Sequence, residues 1–158
     1  MRRTSIVLLL ILAIAASLSA APKNVILLIG DGMGFAQATA ARIAAGGPRA
    51  RLAMDQMPIT GFVTTYSASA YVTDSAAAAT AMASGIKTSN YTIGLTPDGR
   101  RTRTILEAAR DSGRKTGLVT TDAITGATPA GFAAHVSGRD QTAQIAADLA
   151  VDPAAQVD

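Results

Sequence analysis

The chain opens, after its first two dozen residues, on an unbroken apolar run, Val25-Ile26-Leu27-Leu28-Ile29. Five apolar positions with no polar alternation predict a strand buried on both faces. The pattern then changes period. Residues Phe35 to Ala45 read as a helix, ended by Gly46-Gly47-Pro48. Gly61 to Tyr66 is rich in β-branched and aromatic residues and reads as a strand. Ser75 to Ser84 predicts a helix: five of the six residues after Ser75 are Ala, the best helix former, and Gly85 stops the run. Thr104 to Ser112 predicts a further helix with Gly113 at its end, Thr116 to Thr121 another buried strand, and Gln141 to Leu149 a helix with Ile145 and Leu149 on its apolar side. Strands alternating with helices imply an α/β domain with a central, mainly parallel sheet flanked by helices. No internal repeat or long low-complexity linker interrupts the pattern.

Two junctions in this pattern carry chemistry. The first strand ends in Gly30-Asp31-Gly32-Met33-Gly34. In open α/β sheets ligands bind outside the carboxyl ends of strands, so Asp31 stands where a metal-binding carboxylate is often found. A dinucleotide loop fits poorly, because the spacing is G-x-G-x-G and the carboxylate would repel a pyrophosphate. Asp31 as a cap of the following helix remains the alternative. The second junction is Val72-Thr73-Asp74-Ser75 at the head of the alanine helix. A helix N-terminus offers unpaired N–H groups and attracts anions. Ser75 there is either an N-cap or a nucleophile set where a phosphate binds. Asp74 is either a carboxylate that offsets the helix dipole or part of that site.

Composition narrows the classes. The 158 residues hold 14 Lys and Arg against 11 Asp and Glu, one His and no Cys. Any metal must therefore be held by oxygen or by His135. Arg2 and Arg3, the apolar stretch Ile6 to Ala16 and the small residues Ser17 to Ala21 have the layout of a signal peptide over residues 1–20. Its removal leaves a nearly neutral chain, expected in the periplasm or secreted; an uncleaved anchor is the alternative. The apolar stretch is short for a membrane span. Basic residues are not interleaved with aromatics, which argues against nucleic acid as a specific partner. The densest basic cluster, Arg100-Arg101-Thr102-Arg103, follows Pro97-Asp98-Gly99 and reads as a solvated turn.

Several separate motifs, in order, give the chain a resemblance to the N-terminal part of the alkaline phosphatases. They are Asn24 to Gly34 (NVILLIGDGMG), Pro58 to Gly61 (PITG), Tyr71 to Ala77 (YVTDSAA), Thr80-Ala81 and Gly85 to Thr88 (GIKT). Further on come Thr104 to Ala108 (TILEA), Ala127 to Ala130 (ATPA), Ala134 to Val136 (AHV) and Arg139. The match runs from Asn24 to about Ala150. It implies an alkaline-phosphatase-like sandwich, with residues 21–158 as the N-terminal part of the catalytic domain.

The resemblance also implies roles. Ser75 matches the serine that is phosphorylated and then released by water, Asp31 a ligand of one zinc and the magnesium, and Thr128 a hydroxyl ligand of the magnesium. Ser75 itself is expected against zinc. Arg139 matches the arginine that grips phosphate with two hydrogen bonds, and Asp74 helps hold it. His135 is expected to be a hydrogen-bonded structural residue. Two zinc ions and one magnesium are the implied cofactors, a small phosphomonoester the substrate, and a homodimer the assembly of the full-length protein. From the residues alone, Thr128 before Pro129 also reads as a turn former, and Arg139 beside Asp140 as a surface charge.

One position departs from the pattern. Many relatives carry Asp or His two residues before Thr128, and here it is Gly126. Asp122 lies four residues earlier. Loss of the side chain is expected to leave room for water ligands, which suits magnesium. The resemblance further implies a longer protein whose remaining zinc ligands lie later. The sheet is then expected to be incomplete in this chain, with an exposed edge and an unburied apolar face. The 158 residues alone are expected to show little or no phosphatase activity, as a fragment of a precursor. A related phosphodiesterase or sulfatase-like hydrolase, and a non-catalytic exported fragment, are the other function classes. Arg139 argues against the diesterase, because it suits a terminal phosphate with free oxygens.

Overall fold

The computed structural model describes residues 23–151, so the signal peptide expected over residues 1–20 and the last seven residues lie outside the described residues. The chain forms two compact units, one up to Gly30 and one from Asp31 onward. In the first, residues 24–30 form neither helix nor strand, and Val25, Ile26, Leu27 and Leu28 are all exposed. The second unit is helical. Its elements are α1 (Phe35–Gly46), a 3₁₀ turn (Ala53–Gln56), α2 (Ser75–Ser84), α3 (Ile105–Asp111), α4 (Ala127–Ala133) and α5 (Thr142–Val151).

Four helices fall where the sequence pattern puts them, to within a residue or two at most ends. Gly85 closes α2 in the left-handed region at φ 74°. Thr104 caps α3 by accepting the Glu107 N–H, while the Glu107 carboxylate accepts the Thr104 N–H in return, a reciprocal capping box. The Arg100–Arg103 cluster is a solvated turn only in part: Arg100 pairs with Asp98 and Arg103 with Asp111 at the surface, whereas Arg101 pairs with the buried Glu107 and Thr102 is buried.

The expected sheet is where sequence and structure part. Among the described residues no strand ladder forms; the β pairing consists of two isolated antiparallel bridges, Ile93 with Val136 and Leu95 with Arg101. The segments expected as strands carry no regular structure, and most of their apolar side chains face water: Phe62 is 94% and Val119 100% exposed. An extended run becomes a strand only when a neighbouring strand satisfies its N–H and C=O groups. The apolar character of these runs is legible from sequence, and their bonding partners are not.

The core is built instead on small residues. Ala76, Ala127, Ala130, Ala134, Ile93, Val136 and Ile145 are buried together, with Leu149 against them. The main helix contact is α2 against α4. Gly131 permits it: a Cβ there would lie 2.5 Å from the Cβ of Ala79 and 3.0 Å from its backbone carbonyl carbon. Helix α4 was not expected from the sequence, because Thr128-Pro129 reads as a turn. Pro129 lies in the first turn of the helix, where its missing N–H has no intrahelical partner to lose.

Gly131→Ala tests this packing. The added methyl has no flexible neighbour to displace, so the substitution is expected to cost about 1–3 kcal/mol in urea unfolding. Unchanged stability would show that α2 and α4 separate without penalty.

Candidate active site

The head of α2 and the head of α4 converge on one carboxylate. Ser75, the first residue of α2, donates its hydroxyl to Asp31 Oδ1 at 3.1 Å. Thr128, in the first turn of α4, donates to Asp31 Oδ2 at 2.8 Å. Residues 44 and 97 positions away from Asp31 thus meet on its two oxygens. The loop Asp31–Gly34 then enters α1, whose N-cap is Gly34; its N–H donates to the Gln37 side chain at 3.1 Å. Asp31 therefore does not cap α1, and its carboxylate is committed to the two hydroxyls.

Asp31 titrates below the ordinary aspartate range. The Thr128 hydrogen bond is the main cause and the Ser75 hydrogen bond the next; burial opposes them, and Arg139 adds a smaller lowering field. The sign follows directly. A carboxyl group lowered in the folded state contributes stability above its unfolded value, and that contribution is lost as pH falls through the folded value, below about pH 4.

A second carboxylate organises the neighbouring charge. Asp74 is the N-cap of α2 and accepts the Ala77 N–H on Oδ1 at 3.0 Å. Its Oδ2 accepts Arg139 Nη1 at 3.2 Å and the Tyr91 N–H at 3.1 Å. One residue therefore caps the start of the helix, holds the arginine and anchors a loop. The N-cap of α2 is thus Asp74 and not Ser75, the residue read from sequence as a possible cap. Arg139 is partly buried, with one Nη committed to Asp74.

His135 stands apart from this group. Its side chain is buried, its Nε2 lies 2.8 Å from the Thr102 carbonyl and 3.8 Å from Glu107, and its backbone N–H donates to Asp148. The structure places it as a hydrogen-bonded core residue.

Gly126 corrects one expectation. The space beside it is not open: a Cβ at residue 126 would lie 2.9 Å from Asp122 Oδ2 and 2.9 Å from the Ala123 carbonyl oxygen. A carboxylate from four residues upstream fills the position that a side chain at 126 would take. Sequence reasoning missed Asn90 and Tyr91 entirely. Asn90 accepts the Asp74 N–H at 3.2 Å, and Tyr91 bonds both Asp74 and Arg139. An Asn in a polar loop gives no signal that separates it from any turn residue.

The donor set fits a hard cation. Asp31, Ser75 and Thr128 offer a carboxylate and two hydroxyl oxygens, which is oxygen chemistry suited to magnesium. Among the described residues no group of three or more His, Cys, Asp and Glu could hold a metal, so these residues alone do not make a zinc pair.

Thr128→Val removes the strongest hydrogen bond to Asp31 while keeping the shape of the side chain. The Asp31 carboxyl resonance, followed by NMR through an acid titration, is expected to move up toward the ordinary aspartate value. An unmoved titration would mean that the Thr128 contact is not maintained in solution.

Comparison with known proteins identifies the family of the chain. The family model for alkaline phosphatase matches residues 22–156. Streptomycin-6-phosphate phosphatase of Streptomyces griseus is 46% identical over 162 residues, covering 95% of this chain and 36% of that protein. Alkaline phosphatase 3 of Bacillus subtilis is 47% identical over 132 residues, covering 80% of this chain and 28% of that protein. A variant of the alkaline phosphatase from the Antarctic bacterium TAB5, with Mg bound in its M3 site, superposes with a TM-score of 0.76 at 42% identity, over 81% of this chain and 36% of that one. The chain spans about a third of the length of the curated relatives it matches. With most of its length matched to the family model and the motif residues Asp31, Ser75 and Thr128 joined at one point, the chain belongs to the alkaline phosphatase family.

Proposed function

We propose that this chain is the nucleophile-bearing part of an exported, metal-dependent phosphomonoesterase that works through a phosphoserine at Ser75. The observation that carries the proposal is the junction of Ser75, Asp31 and Thr128, with Arg139 held on the adjacent Asp74. The likeness to a streptomycin-6-phosphate phosphatase supports a small-molecule phosphomonoester as substrate. Localisation in the periplasm or outside the cell rests on the leader pattern of residues 1–20. No helix among the described residues is long and apolar enough to cross a membrane.

The chemistry is built from the side chains. Ser75 Oγ attacks the phosphorus, the new Oγ–P bond forms, and the ester P–O bond breaks to release the alcohol. Water then cleaves the phosphoserine and frees inorganic phosphate. A serine hydroxyl is a weak nucleophile near neutral pH. Asp31 orients that hydroxyl, but its lowered pKa makes it a poor proton acceptor. A metal held beside Asp31 would supply the missing positive charge, lowering the pKa of the Ser75 hydroxyl and offsetting the charge of the phosphate oxygens. Asp31 and Thr128 would hold magnesium, and Asp31 and Ser75 would face zinc. The proposed complement is two zinc ions and one magnesium, the further zinc ligands coming from outside the described residues. Arg139, steadied through one Nη by Asp74, keeps further N–H donors for the oxygens of a terminal phosphate. Dimerisation is proposed for the whole protein.

A protein read through the whole reading frame and supplied with zinc and magnesium is expected to cleave p-nitrophenyl phosphate faster than its bis-ester. Ser75→Ala is expected to reduce that rate by on the order of 10³-fold or more. The 158-residue chain alone is expected to bind phosphate with little turnover. Parental turnover in Ser75→Ala would overturn the nucleophile assignment, and a faster diester rate would move the function to a phosphodiesterase. Gly126→Asp forces a second carboxylate against Asp122. It is expected to change magnesium affinity in a calorimetric titration; the same affinity in both proteins would remove Gly126 and Asp122 from the metal site.

A further inference from the structure

Residues 89–92 form a turn closed by the Thr92 N–H on the Ser89 carbonyl at 3.2 Å. Tyr91, its third residue, has φ 69° and is the non-glycine residue with positive φ among those described. That value belongs to a type II turn, whose third position is normally Gly or Asn. The Tyr91 side chain offers no reason for its placement, being 65% exposed.

What the strained corner does is bond outward. The Asn90 N–H donates to Ser69 Oγ at 2.9 Å, its Nδ2 donates to the Val72 carbonyl at 3.0 Å, and its Oδ1 accepts the Asp74 N–H at 3.2 Å. The Tyr91 N–H donates to Asp74 Oδ2 at 3.1 Å, and the Tyr91 carbonyl accepts the Arg139 N–H at 2.8 Å. A turn that merely reversed the chain would need the one bond across itself. These five bonds reach residues 69, 72, 74 and 139, so the corner ties the segment leading into Ser75 to the loop that carries Arg139. Backbone strain of this kind persists where the surroundings over-determine it.

We propose that Asn90 and Tyr91 are positioning residues that fix the Asp74–Arg139 pair, so that the guanidinium meets an anion in one preset orientation. The functional part of this proposal rests on the reading of Arg139 as the phosphate-gripping residue. The work of Tyr91 is done by its backbone, and that of Asn90 by its side-chain amide. Gly therefore replaces Tyr91 without loss, whereas a β-branched residue does not, because it resists positive φ.

The test uses the 158-residue chain and the variants Asn90→Ala, Tyr91→Gly, Tyr91→Val and Arg139→Ala, with circular dichroism to follow helix content. Two quantities are read: the Arg139 side-chain N–H resonances by NMR without phosphate, and inorganic phosphate affinity by calorimetry. Tyr91→Gly is expected to keep both. Asn90→Ala and Tyr91→Val are expected to lose the slowly exchanging Arg139 resonance and to weaken phosphate binding about tenfold or more. If Asn90→Ala and Tyr91→Val leave the Arg139 resonances unchanged, the positioning proposal is overturned. If Tyr91→Val unfolds the chain, Asn90→Ala decides by the same criterion. If Arg139→Ala binds phosphate as the parent does while the resonances still respond to residue 91, the phosphate role of Arg139 falls and its positioning stands.

Discussion

The contact between Gly131 and Ala79 sets the geometry on which the site depends. With no side chain on Gly131, α2 and α4 pack at the closeness of two backbones. Their first turns are thereby brought to one place, and Ser75 and Thr128 reach the two oxygens of a single carboxylate. Burial here gains less per residue than a core of Leu and Phe would, because Ala offers little apolar area. What small residues provide in exchange is placement. A bulkier interface would hold the helices apart and leave Asp31 to bond at most one of the hydroxyls.

Two aspartates then divide the electrostatic work. Asp31 is exposed and bonded to neutral hydroxyls, so its charge is retained at little desolvation cost and remains available to a cation. Asp74 is half-buried and saturated by donors: a helix N–H, a loop N–H and a guanidinium. Its charge is used internally, to hold Arg139 and cap the start of α2. Arg139 in turn lowers the Asp31 pKa from a distance, so the two groups are linked through space as well as through the chain. A site so arranged presents one available negative charge and one partly available positive charge, which suits a metal and a phosphate side by side.

How much of this was legible in the sequence differs by element. Helix α2 was plain because Asp74, the alanine run and Gly85 state its start, body and stop within a dozen residues. Ser75, Asp31, Thr128 and Arg139 were legible as motif residues, and their convergence depends on tertiary packing that no local pattern encodes. Helix α4 was hidden because proline suits a first turn as well as a loop, and the sequence does not say which. Tyr91 was hidden for a stricter reason: positive φ is a property of the backbone, and an exposed tyrosine gives no sign of it. The runs at residues 25–29, 61–66 and 116–121 show the opposite failure. Their composition states a strand correctly as a tendency, yet a strand exists only through hydrogen bonds to a neighbour, and the described residues supply none.

These exposed runs and the well-made site belong to different levels of the same fold. The junction of Ser75, Asp31 and Thr128 needs only α2, α4 and one loop, all held by contacts between near neighbours in space. A sheet needs every strand to find its partner before any of them is satisfied. Phe62 and Val119 in water carry an unfavourable term that grows with apolar area, and closing a sheet over them removes it. The helical half of the site is therefore the part that stands on its own interactions. The apolar runs are the part whose stability waits on strand pairing that the described residues do not supply.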